Sequence, residues 1–194
     1  MPSAAISVAV GLLAVLLVWA VVTDLRSRRI PNKLCAAGIL LAGACHAAAL
    51  AQGVSPLAGP AWWAPLAGML AGLALLLPLY LLGATGAGDV KLMAAVGAFI
   101  GVPAIVSAVL YTLLCGGLLS LVFMFGRGVA AQTLANVRYL LTDLAVRASA
   151  RECGVGLAPL ETTAARLPYA VAIALGTAAA LIRPLGWFAA GAAS

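Results

Sequence analysis

The chain has 194 residues, of which 65% are hydrophobic and only 8% charged, with a net charge of +6. Soluble domains carry about 25% charged residues, so this composition excludes an ordinary water-soluble fold. The positive balance is not a nucleic-acid footprint, because the basic residues fall in loops between apolar runs, where they set membrane orientation.

The first apolar run, Ala4 to Val22, is long enough to span a bilayer. No basic residue precedes it and a basic cluster follows it, an order that suits a permanent first span better than a cleaved signal. A charged loop, Thr23 to Lys33, comes next, with Pro31 and Asn32 turning the chain into span 2 at 34–50. Between Lys33 and Asp89 no residue carries a formal charge. That stretch holds span 2, a Gly- and Pro-rich turn at 52–60, and span 3 at 61–82, with Trp62 and Trp63 as interface anchors. His46, alone among alanines, reads as a satisfied core residue.

A glycine-rich break follows, Gly83 to Lys91. Arg26, Arg28, Arg29 and Lys33 make the first loop cytoplasmic by the positive-inside rule, which places the Asp89 loop inside as well. The segment 127–166 is also arginine-rich and so inside. An even number of crossings must therefore separate it from Lys91. This predicts a short span 4 at 90–100, a turn at Gly101 to Pro103, and span 5 at 104–125. Span 4 is too short for about 30 Å of hydrocarbon and must thin the bilayer or end in a protein-lined cavity. In the loop, 129–150 predicts an interfacial amphipathic helix, with Leu134, Val137, Leu141, Leu144 and Ala148 on one face and Asn136, Asp143 and Arg147 on the other. Span 6 runs over about 167–190, with Arg183 snorkelling outward. The expectation is an all-α polytopic protein: six spans, both termini outside, and one membrane-embedded domain over 1–194. Barrel strands would alternate polar and apolar residues, and these runs do not.

Cys35, Cys45, Cys115 and Cys153 have no CxxC spacing and predict neither a zinc site nor a disulfide framework; no metal or cofactor is expected. Of the five acidic residues, Asp143, Glu152 and Glu161 read as solvated charge in the long loop. Asp24 and Asp89 each end an apolar span on the same side, and ionisable groups at membrane depth mark function. Their purely structural readings are an ion pair with Arg28 or Arg29 for Asp24, and a helix N-cap for Asp89. Gly83, Gly86 and Gly88 leave the backbone before Asp89 bare enough for another chain to approach, which a simple cap does not require. Two facing carboxyls that share one proton can activate water against an amide without a metal.

Gly86-Ala87-Gly88-Asp89 matches the GxGD signature of the prepilin and preflagellin peptidases. The stretches 24–32 and 83–92 resemble that family's two aspartate motifs, and 166–172 is similar to its last span. The resemblance implies that Asp24 and Asp89 are catalytic, with Gly86, Gly88 and Lys91 as motif support or substrate contacts. Lys91 reads more simply as a span-end anchor. It also implies prepilin and pseudopilin substrates, cut after a glycine at the cytoplasmic face of a bacterial inner membrane. The larger family members add a CxxC-bearing domain and methylate the new N-terminus. This chain resembles the short, peptidase-only form of the Flp or tight-adherence pilus type. The rival readings are a small proton-coupled transporter and a scaffold of a secretion apparatus.

Overall fold

In the computed structural model, residues 4–82, 85–126, 138, 142 and 169–182 are described. They form five helices: α1 (Ala4–Ser27), α2 (Asn32–Ala51), α3 (Ala64–Leu81), α4 (Ala87–Gly126) and α5 (Tyr169–Ile182). Four helices are long and apolar enough to cross a membrane: α1, α2, α3 and the part of α4 over Ala87–Phe123; α5 is a shorter apolar helix. The protein is thus an all-α, multi-pass membrane protein. Contacts divide the chain into two units, Met1–Gly116 with Pro168–Ser194 and Gly117–Leu167. In the second unit Arg138 and Thr142 are helical, and the Thr142 hydroxyl donates to the Arg138 carbonyl at 3.0 Å. The rest of the expected interfacial helix, Cys153 and Arg183 lie outside the described residues.

Helix α1 shows why the spans are helices with two apolar faces. Ala9, Leu13, Leu16, Leu17, Ala20 and Asp24 recur at three- and four-residue spacing and are buried. Val8, Val15, Val18, Trp19 and Val22 form the opposite, exposed stripe. Exposed side chains of this size suit lipid, where helices alone satisfy every backbone group. The helix also runs past the expected end of span 1. Thr23 and Ser27 fold their hydroxyls back, Thr23 Oγ1 donating to Trp19 O at 2.9 Å and Ser27 Oγ to Thr23 O at 2.8 Å. These local bonds satisfy the two hydroxyls within the helix. It stops at Arg28, whose φ of 50° is left-handed and whose N–H still donates to Asp24 O at 2.8 Å. Asp24 therefore sits in the last turn of a helix and not in a loop.

Helix α2 buries Cys35, Gly38, Ala42, His46 and Ala49. His46 is a core residue, as its setting predicts, with Nε2 3.0 Å from Ala61 O. That contact ties α2 to the turn before α3. Trp62 and Trp63 stand exposed in that turn, where the sequence places interface anchors. Helices α1 and α2 pack together, as do α2 and α3, and α1 and α5.

The first arm of α4, residues 87–100, is the central post. From Leu92 to Ile100 it is buried on every face. Small residues let its neighbours approach: a Cβ on Gly68 of α3 would strike Gly97 O, and one on Gly72 would lie 2.6 Å from Met93 O. The chain then doubles back at Gly101, which is non-helical with φ 74° and ψ 178°. The Cβ position of Gly72 is also 3.3 Å from Ile105 Cγ1, as is that of Gly97. In a straight helix Met93 and Ile105 would be about 18 Å apart. The expected turn at Gly101 to Pro103 is therefore present. The first arm, about 20 Å long, is surrounded by protein from Leu92 to Ile100. In the second arm, Thr112 and Gly116 pack against Gly176 and Tyr169 of α5.

Candidate active site

Four chain segments meet at one end of the first unit: the last turn of α1, the link into α2, and the first turns of α4 and α5. Each is held by identifiable local chemistry. Asp24 continues the buried stripe of α1, so helical period alone carries its carboxyl inward, to 8% exposure. It does not turn to the exposed Arg28 and Arg29. Its Oδ2 accepts the backbone N–H of Ala170 at 3.2 Å in a buried hydrogen bond. Ala170 is the second residue of α5, where N–H groups have no acceptor within the helix and the helix dipole favours an anion.

Asp89 occupies the third position of α4, not the cap itself. Its Oδ2 reaches back to accept the Gly86 N–H at 3.0 Å, while its own N–H donates to Gly86 O at 3.0 Å. This is the carboxylate half of a capping box, with a glycine in place of the usual Ser or Thr. Asp89 is half-buried. The two aspartates, brought from different helices, lie within Coulombic reach of each other. Tyr169 is in turn within reach of Asp89.

The motif glycines have distinct duties. A Cβ on Gly86 would stand 3.2 Å from Asp89 Oδ2, and one on Gly88 would stand 3.2 Å from Ile30 Cβ. Gly88 thus lets the link after α1 lie directly on the start of α4, the close approach that the bare backbone predicts. Gly83 falls outside the described residues. Lys91 is exposed and donates through Nζ to Asn32 Oδ1 at 3.0 Å. It is a cross-link between the starts of α4 and α2, a finer role than the span-end anchor expected for it. Buried Cys35 is within Coulombic reach of both Lys91 and Asp89. Among the described residues, no group of three or more His, Cys, Asp or Glu side chains could hold a metal ion.

The profile of the type IV leader peptidase family (peptidase A24) matches residues 11–121, more than half of the 194-residue chain. The chain belongs to the type IV leader peptidase family. It is therefore an aspartic-type peptidase, and the family implies prepilin substrates. No curated protein and no solved structure matches it. Asp24, Asp89, Gly86, Gly88 and Lys91 all lie inside the matched segment, whereas α5 lies beyond it. Sequence reasoning did not foresee how Ala170, Tyr169 and Asn32 meet this end of the leader peptidase. Ala170 and Tyr169 were visible only within the stretch 166–172, and Asn32 only as a turn former at the end of the stretch 24–32. Nothing in their residue types points to the aspartates.

Proposed function

We propose that this leader peptidase cleaves the short basic leader of Flp-type prepilins after a glycine, at the cytoplasmic membrane face, with Asp24 and Asp89 as the catalytic pair. The observation that carries the reading is the convergence of two carboxyls from separate helices within Coulombic reach, both inside the family segment. One proton is shared between them. The ionised member takes a proton from water as the water oxygen bonds to the scissile carbonyl carbon. The protonated member gives its proton to the carbonyl oxygen. Collapse of the tetrahedral diol breaks the C–N bond, and a proton passes to the leaving nitrogen. Leader carboxylate and mature amine are the products.

Arg26, Arg28, Arg29 and Lys33, all exposed beside the site, favour a cytoplasmic orientation. Counting each arm of α4 as one crossing gives six, with both termini outside. No CxxC pair occurs in the chain, which supports cleavage without methylation of the new N-terminus.

Co-expression with a prepilin tests the assignment. Asp24→Asn and Asp89→Asn are each expected to insert normally and to leave only precursor. Normal processing by either variant would remove that residue from the catalytic pair. Mass spectrometry of pilin matured by this enzyme alone is expected to show an unmethylated N-terminus.

A further inference from the structure

We infer that the first turn of α5 belongs to the catalytic apparatus: the Ala170 amide is the positioning group that orients the Asp24 carboxylate and leaves its other oxygen free for the attacking water. The inference rests on the reading of Asp24 and Asp89 as the catalytic pair and adds to it a group outside the family-matched segment, which ends at residue 121.

Several observations converge on this role. The Ala170 N–H to Asp24 Oδ2 bond is 3.2 Å long and buried. Ala170 is fully buried and Asp24 nearly so, so water does not compete readily for either partner. An amide in a first helical turn has no acceptor of its own helix, and a buried carboxylate without a donor is costly. Each group therefore satisfies the other. An amide donor also restricts rotation of the carboxyl, and a hydrogen bond to an anion is shorter and stronger than a neutral one.

The donor is itself held in place. Tyr169, the preceding residue, lays its ring against Gly116 of the second arm of α4. A Cβ on Gly116 would come 2.9 Å from Tyr169 Cε2. Tyr169 also lies within Coulombic reach of Asp89. The first turn of α5 thus meets Asp24 directly, through an amide. The chain link is long, because Asp24 and Ala170 are separated by most of the protein. This bond makes the geometry of the N-terminal aspartate depend on the last described helix.

The experiment replaces the peptide amide at residue 170 by an ester, using the hydroxy-acid analogue of alanine in the full-length protein in detergent. The side chain is kept and the donor is lost; the carbonyl of residue 169 becomes a weaker ester acceptor, and the thermal midpoint reads that effect on α5. The substrate is a peptide carrying a basic leader, glycine and hydrophobic segment. The expected result is a fall in kcat of about tenfold, with KM and thermal midpoint unchanged, since one donor to a charged group is removed. Gly116→Ala, which pushes on the Tyr169 ring, is expected to lower kcat in the same way. Unchanged kcat in the ester protein overturns the inference. So does a loss of kcat that runs parallel to a lower midpoint and higher KM, the mark of a merely structural bond. Asp24→Asn is the control. If it stays active, the catalytic pair itself is wrong; if it is dead while the ester protein is normal, only the role of α5 fails.

Discussion

Asp24 and Asp89 are each held by a main-chain N–H at the start of a helix, but the sources differ. Asp89 takes its donor from Gly86, three residues away. Asp24 takes its donor from Ala170 at the far end of the chain. The first arrangement forms with its own helix turn; the second exists only when α5 has docked. Lys91 stands at the same end, and its bond to Asn32 is exposed. Exposed polar pairs contribute about 1 kcal/mol or less. Lys91→Met is therefore expected to leave cleavage within about threefold of the parent enzyme, measured as the rate of mature product formation. A loss comparable to Asp89→Asn would place Lys91 in the chemistry itself. Two carboxyls that share a proton titrate as a pair. The rate is accordingly expected to fall on both the acid and the alkaline side of its maximum. Chelators are expected to leave that profile intact; activity lost to a chelator and restored by a divalent metal would replace the acid–base mechanism with a metal one.

At the scale of elements, the central post depends on backbone contacts that only glycine permits. Gly101 combines a φ of 74° with a Cβ position blocked by the carbonyl of Ala58. A side chain in that conformation costs on the order of 1–3 kcal/mol before the clash is counted. Gly101→Ala is expected to lower the thermal midpoint in detergent markedly and to reduce folded yield. Gly97→Ala should do the same, because its Cβ would collide with Gly68 O. Gly11→Ala is the matched control: nothing lies within 4 Å of the added carbon, and a helix-favouring Ala should leave the midpoint unchanged or slightly raised. Equal effects at Gly11 and Gly97 would contradict the packing described for α3 and α4.

For the whole molecule, orientation is the testable property. Reporter fusions at Ser55 and Ser194 are expected to read as external, and a fusion at Gln132 as internal. A cytoplasmic reading at Ser194 would break the count of six crossings, and the two arms of α4 are where it would break.

Membrane class, helical class and the family were legible in residue order, because lipid imposes long apolar runs and because the motif around Asp89 is local. The break at Gly101 was legible too, because the loop charge on either side of α4 led to the expectation of a turn there. Helix ends were less so. Composition does not reveal that α1 runs on to Ser27, with the Thr23 and Ser27 hydroxyls bonded back into the helix. Residue order also singled out Asp24 and Asp89 as candidate site residues but not what holds them. A hydrogen bond from Ala170 to Asp24 uses a backbone group that every residue but proline carries, so no side-chain pattern announces it. Only the docking of α5 against α1 decides that this particular amide meets that particular carboxylate.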